Sequence, residues 1–392
     1  MSYVLCFHRW VGAQALYDSY SLPDGLMIRV ICTPESTASL PKERLASFSI
    51  VDTLDDQVTV QKEVEKTIKK YGIPILVVAL NEGDLLTAAS VREQFGLLGD
   101  HTAWIEKFRD KLKMVDIASR QCSIKVLSAS AVDSVDSIKN IARVFGYPLV
   151  LKPRYGTASK GVRLVYSDDD IFFDEAEFSE PMMAQVYCSA PILHVDGWWD
   201  GQRVIVATTS TYINSCADFG PDSPLGSIEI SSASYEDRVI NAVSDLMDVF
   251  SPQQEVVFHL ELFDSGDDLV FLEIGARAGG AEIPFIWREI REIDLVGIAW
   301  ELQTFSSTWF RDIAKQNSLN GRPISTERGA WIIANSANLI DESISSLYWS
   351  LPQNFLAASG VYEGAKTRLR FRDFKYLDLK ENVHRVMNKI SI

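Results

Sequence analysis

Phe258-His259-Leu260-Glu261-Leu262-Phe263 and, beyond the turn Asp264-Ser265-Gly266-Asp267, Leu269-Val270-Phe271-Leu272-Glu273-Ile274 are two strongly apolar runs of strand length. Their spacing predicts an antiparallel hairpin. Period-two alternation puts His259 and Glu261 on one face of the first strand and the leucines on the other. Glu273 closes the second strand and enters the turn Gly275-Ala276-Arg277-Ala278-Gly279-Gly280. Two carboxylates on neighbouring buried strands are costly unless a cation or an arginine neutralises them. Hard oxygen ligands of this kind suit Mg²⁺. The plainer alternative has Glu261 facing solvent and Glu273 paired with Arg277 alone. A zinc site on His259-x-Glu261 lacks the H-E-x-x-H spacing.

Upstream, Leu149-Val150-Leu151-Lys152-Pro153 reads as a strand that runs into Arg154-Tyr155-Gly156-Thr157-Ala158-Ser159-Lys160-Gly161. A lysine at the end of an apolar strand can reach a phosphate, and glycines let backbone N–H groups approach its oxygens. No G-x-x-x-x-G-K-[ST] is present, so this is not a Walker A loop, and taken alone it reads as a glycine-bearing hairpin with surface charges before it reads as a phosphate loop. Still earlier, Trp104, Phe108, Leu112, Val115 and Ala118 recur at helical intervals. They predict one long helix, with Arg109-Asp110-Lys111-Leu112-Lys113-Met114 as a charged face.

The first hundred residues alternate strand-like and helix-like segments: strands at Val4–Phe7, Met27–Ile31, Phe48–Val51 and Ile75–Leu80, and a helix through Val60, Val64, Ile68 and Tyr71 ending at Gly72. That alternation predicts a parallel, doubly wound sheet. The first turn holds only Gly12 and no G-x-G-x-x-G, which argues against a dinucleotide site there. Asn81-Glu82-Gly83-Asp84 after the fourth strand fits either a site loop or a helix cap. Residues 196–230 read as hairpin-rich sheet, and Val239 to Phe250 as an amphipathic helix.

In order and spacing, these pieces resemble the ATP-grasp superfamily, in particular the carboxylate–amine ligase branch that contains L-amino-acid ligases. The resemblance rests on Asp110-Lys111-x-x-Met114, strand Lys152, the loop Gly156–Gly161, His194-Val195-Asp196-Gly197, His259-x-Glu261 and Glu273-x-Gly275-x-Arg277-x-Gly279-Gly280. It implies an α/β fold, α+β in the C-terminal half. A Rossmann-like pre-ATP-grasp domain (1–110) would precede a two-part ATP-grasp fold: a small lid subdomain (111–187) and a large subdomain with a C-terminal extension (188–392). It implies ATP and Mg²⁺ as cofactors, with Mn²⁺ as a substitute, and ADP-forming amide or peptide bond formation through an acyl phosphate. Lys111 and Lys152 would contact the phosphates, and Arg154, Ser159, Lys160 and Gly161 would close over them. Gln185, Val186 and Tyr187 would hold adenine, and Glu261 and Glu273 the metal. Arg277 would bind the transferred phosphate or the substrate carboxylate. Asn81, Glu82, His194, His259, Gly279 and Gly280 are candidate substrate contacts.

The chain departs from the family pattern at Gln185 and Ile192, where the family often has acids, and at Gly275, where it often has asparagine. The same fold serves ligases and carboxylases of purine and cofactor biosynthesis, and a non-catalytic ATP-binding role is a further alternative. The expected partners are a small-molecule carboxylate and an amine, with a homodimer as the family-level expectation.

Over 392 residues the formal net charge is −15, which argues against nucleic acid or anionic lipid as a partner but not against a small anion in a local basic pocket. The apolar run at Met1–Phe7 is too short for a secretory leader, and Ile73–Leu80 is far below membrane-span length. Five scattered cysteines without C-x-x-C suggest reduced thiols, and so a cytoplasmic protein.

Overall fold

A computed structural model describes residues 2–172, 178–220, 222–230, 232–336, 344–350 and 364–390. The N-terminal part is a parallel sheet of β1 (Tyr3–His8), β2 (Met27–Cys32), β3 (Leu45–Ile50) and β4 (Leu76–Ala79), in the order β3-β2-β1-β4. Helix α1 (Gln57–Tyr71) is started by Asp56, whose carboxylate accepts from the Val58 and Thr59 amides, and stopped by Gly72 at φ 85°. It buries Val60 and Val64 against the sheet. Helix α2 (Leu85–Phe95), which follows the Asn81–Asp84 turn, covers the sheet together with the short α3 (Thr102–Ile105).

The predicted long helix is broken. Helical turns through Phe108 give way at Arg109, and α4 (Lys111–Gln121) starts afresh with Asp110 as its N-cap, accepting from the Leu112 and Lys113 amides. The apolar spacing is continuous, but an aspartate that can satisfy two orphan N–H groups makes a better start than an interior residue. The break turns Lys111 inward, to near-complete burial.

After β5 (Lys125–Val126) comes a small antiparallel sheet with order β6-β9-β7-β8, built from β6 (Ala129–Val132), β7 (Leu149–Pro153), β8 (Arg163–Val165) and β9 (Met182–Val186). Helix α5 (Val135–Phe145), opened by a Ser134–Ser137 capping box, covers one face through Ile138, packed with Leu151, Val165, Met182 and Ala184.

The largest element is a nine-stranded sheet ordered β18-β19-β17-β12-β11-β10-β13-β14-β5. Its strands are β10 (Ile192–Asp200), β11 (Val204–Tyr212), β12 (Leu225–Glu229), β13 (Glu255–Asp264) and β14 (Leu269–Gly275), then β17 (Arg328–Ala334), β18 (Leu347–Ser350) and β19 (Thr367–Asp373). Strand β5 joins its edge in parallel to β14; the other pairings are antiparallel. Helix α6 (Ala233–Phe250) packs on one face through Val239, Val243, Leu246, Met247 and Phe250. Helices α7 (Ile283–Arg291) and α8 (Leu295–Thr304) share a core with the N-terminal sheet, joining Trp287 and Trp300 to Tyr17 and Tyr20. Helix α9 (Trp309–Gln316), the hairpin β15 (Ser318–Leu319) and β16 (Arg322–Pro323), and α10 (Tyr376–Ile390) complete the described chain. Among the described residues, no helix is long and apolar enough to cross a membrane.

Candidate active site

A cavity of about 960 Å³ opens where the loops after β1, β2, β3 and β4 face the β13–β14 hairpin and the loop that follows it. The carboxyl ends of parallel strands are where open α/β sheets place ligands. The wall opposite belongs to the large sheet and includes Tyr212, His259, Glu261, Glu273 and Arg277.

The predicted hairpin forms with Glu261 and Glu273 directly opposite each other. Like charges in that arrangement repel. A register shift between Glu261 and Leu262 accompanies the pairing. Glu261 accepts from the Tyr212 hydroxyl at 3.0 Å and lies 3.5 Å from His259 Nε2. Burial works to raise its pKa, but these contacts with His259 and Tyr212 outweigh it and hold the carboxyl below its ordinary value. Glu273 meets the Lys111 ammonium at 3.1 Å, so its partner is not Arg277. The two carboxylates are a hard-oxygen pair facing one cavity, a donor set that fits Mg²⁺.

Below them lies a buried network. One oxygen of Asp196 takes His194 Nδ1 at 2.6 Å, and the other takes His259 Nδ1 at 2.8 Å. The outer nitrogen of His194 meets the Ser227 hydroxyl at 2.7 Å. Burial would lower the His259 pKa, yet the adjacent Asp196 carboxylate pushes it up to about 9. Asp196 is itself held below the usual carboxylate range: burial opposes this, and the two imidazoles overcome it. Gly279 packs against Asp196 Oδ1 so closely that any side chain there would overlap it. His194, Asp196 and His259 lie close enough to share a metal ion, but each of their ring nitrogens already faces an oxygen partner, which reads as a positioning network.

Arg277 reaches across to the N-terminal sheet, where its guanidinium donates to Glu82 Oε2, through Nε at 2.9 Å and through Nη2. The other oxygen of Glu82 accepts from Arg109 Nη1 at 2.7 Å. Burial raises the Glu82 pKa, but Arg277, Arg109 and Lys111 together drive it well below the usual range. Asn81 turns the loop by accepting from the Gly83 amide. Lys111 donates to Gly156 O at 2.8 Å, and Arg109 to Tyr155 O at 2.5 Å, which ties the glycine-bearing loop to both cations.

Lys152 is buried on the small-sheet face that looks toward Glu273 and Glu261. Desolvation lowers its pKa to about 8, with Glu273 opposing and Lys111 assisting. Ser159 and Lys160 stand on the cavity wall, in a turn where Ala158 and Ser159 take positive φ. Gly161 closes that turn at φ 76°. Arg154 does not join them: it pairs with Asp110 and lines a separate groove with Tyr155. In this arrangement its anion is Asp110, the N-cap of α4. Gln185 is a strand residue of β9, and the amides of Val186 and Tyr187 are already bonded to Ser128 O (3.0 Å) and Pro148 O (3.2 Å). His194 lies beneath the cavity, while His259, Gly279 and Gly280 line it.

Sequence reasoning assigned no role to Asp196, Arg109 or Tyr212. Asp196 alternates with His194 on one strand face, a visible signal; the partners of Arg109 and Tyr212 are 27 and 49 residues away and leave no local trace. Trp331, Asn335 and Gly364 bring the C-terminal region to the cavity.

No protein-family profile matches the chain. Among curated proteins it is 19% identical over 269 residues to the carbamoyl phosphate synthase large chain of Agathobacter rectalis, covering 66% of this chain and 24% of that one. The chain thus spans about a quarter of that relative's length. Among solved structures, an L-amino acid ligase from Bacillus licheniformis superposes with a TM-score of 0.70 at 14% identity, covering 99% of this chain and 97% of that one. The biotin carboxylase domain of Hydrogenobacter thermophilus 2-oxoglutarate carboxylase, solved as a dimer with MgADP, ADP and bicarbonate, gives 0.64 at 14% identity, with 95% and 86% covered. The two structural likenesses extend over nearly the whole chain. The fold is that of the ATP-grasp structures on which the chain superposes.

Proposed function

We propose that the chain is an ATP-dependent carboxylate–amine ligase that forms an amide or peptide bond and releases ADP and phosphate. The observation that supports this best is convergence: Lys111, Lys152, Glu261, Glu273 and Arg277 come from three separate chain segments to one cavity and its edge. Phosphoryl transfer needs positioning and charge neutralisation more than covalent help. In this reading Lys152 and Lys111 hold the nucleotide phosphates, and Ser159 and Lys160 cover them. Glu261 and Glu273 hold Mg²⁺, which supplies Lewis-acid neutralisation of phosphate charge. Arg277 faces the substrate carboxylate that accepts the γ-phosphoryl group. An amine then displaces phosphate from the acyl phosphate. His259, anchored by Asp196, keeps Glu261 in place. The carboxylate is that of an amino acid or another small acid.

The test is ADP release with Mg²⁺, ATP and amino acids supplied in pairs. Stimulation by at least one pair is expected, and Glu273→Gln should reduce the stimulated rate by about 10²-fold or more with the far-ultraviolet circular dichroism unchanged. Full activity in that variant defeats the metal assignment. A second reading, a bicarbonate-using ligase or carboxylase, draws on the bicarbonate bound in the Hydrogenobacter domain. It predicts ADP release that depends on bicarbonate and not on an amino-acid pair.

A further inference from the structure

Arg109 is 4% exposed and stands behind the cavity, not on its wall. It sits at the helix break, one residue before the Asp110 cap, and its guanidinium spans two other parts of the molecule. Nη1 donates to Glu82 Oε1 at 2.7 Å, on the loop after β4, and Nη2 to Tyr155 O at 2.5 Å, on the loop after β7. Nε has no hydrogen-bond partner, so among the described residues the side chain bonds to these two loops alone. Burying a guanidinium is costly, and here the compensation joins two layers of the fold.

Residues 109, 110 and 111 together hold the root of the glycine-bearing loop. The Lys111 N–H donates to Arg154 O at 3.0 Å, Asp110 accepts from the Arg154 guanidinium, and Lys111 Nζ donates to Gly156 O at 2.8 Å. When Lys111 Nζ turns to a phosphate it gives up Gly156 O, and Arg109 keeps the Tyr155 carbonyl. Beyond Gly156, Thr157 to Lys160 line the cavity. The other arm of Arg109 ends at Arg277, because Glu82 Oε2 accepts from Arg277 Nε at 2.9 Å and from its Nη2. Arg109 thus stands between the loop that would cover the nucleotide phosphates and the arginine that would face the acceptor carboxylate. A lysine puts one nitrogen where the fork puts two, so it serves one arm. Displacing reacting groups by about 1 Å costs about 10²-fold in rate.

We propose that Arg109 is a positioning residue that fixes the spacing between the glycine-bearing loop and Arg277, and with it the approach of the acceptor carboxylate to the γ-phosphoryl group. The effect on the reaction rests on the ligase reading; the tethering of the loop does not. The test combines limited trypsin cleavage of the full chain with ADP release. Lys160, exposed near the tip of the loop, is the reporter, and Arg203, exposed between β10 and β11, is the internal reference. In Arg109→Met, cleavage after Lys160 relative to Arg203 is expected to rise by about tenfold. The same variant should lose about 10²-fold in kcat while the KM for ATP stays within about threefold. Arg109→Lys should keep the wild-type melting temperature and still raise the cleavage ratio. A ratio unchanged in both variants overturns the tether, and a raised ratio with unchanged kcat overturns the spacing role. Should Arg109→Met not fold, Arg109→Lys decides both. If no amino-acid pair or bicarbonate stimulates ADP release by the wild type, the ligase reading and the spacing role fail together, while the cleavage ratio still decides the tether.

Discussion

On the large sheet, His194, Asp196, His259, Glu261 and Tyr212 are partnered with one another and with Ser227. On the small-sheet face that looks toward it, Lys152 has no ion-pair partner among the described residues, and Gln185 holds an unpaired donor. Both surfaces are buried, so both bear the cost of removing polar groups from water. One recovers that cost from its own side chains; the other leaves it outstanding. A satisfied network is rigid and keeps a geometry fixed in advance. A buried donor left unpaired, as at Gln185, points to a partner from outside the chain.

The contrast breaks most decisively at Lys152. Lys152→Met should cut ADP-forming turnover by about 10²-fold or more, while the melting temperature holds or rises because an unpaired buried ammonium is gone. A large fall in melting temperature would instead make the lysine structural. Asp196→Asn should act in the opposite sense. By leaving two buried imidazoles mismatched, it is expected to remove about 3 kcal/mol of stability, read as a lowered urea midpoint. If the midpoint is unchanged, the floor is not the rigid element described.

The lysine also gives a pH signature. Its pKa in the ligand-free protein is lowered to about 8, whereas a bound polyphosphate favours the charged form. Binding therefore takes up a proton above that value, and nucleotide affinity should decline as pH rises through about 8. Lys152→Arg, charged throughout, should flatten the profile in the same titration. The smallest effect belongs to Arg154, whose partner is Asp110 and whose guanidinium lies away from the cavity. Arg154→Met is expected to leave turnover within about threefold of the wild type in the ADP assay, as for a partly exposed ion pair.

Much of this was legible in the sequence where the signal is local. Period-two alternation found His259 and Glu261 on one face, and Asp264–Asp267 marked the turn that sets Glu261 against Glu273. The helix at 104–118 was misread because apolar spacing survives a break; only the capping chemistry of Asp110 marks it. Partner choice was the other blind spot. Sequence offered Arg277 to Glu273, four residues away, yet the chain gives Arg277 to Glu82 and Lys111 to Glu273. Such exchanges depend on how separate layers dock, and no pattern within one element records them. Arg154 likewise finds its partner in Asp110, 44 residues before it.

Glu82 stands at the tip of β4, and its two oxygens tie Arg109 and Arg277 to the N-terminal sheet. For protein engineering this makes the N-terminal sheet a non-interchangeable module. A chimera that replaces it with another parallel α/β unit must deliver an acid to the same point, or it leaves two buried guanidiniums uncompensated. Swaps between related scaffolds should therefore be scored first on that one carboxylate, before overall sequence similarity.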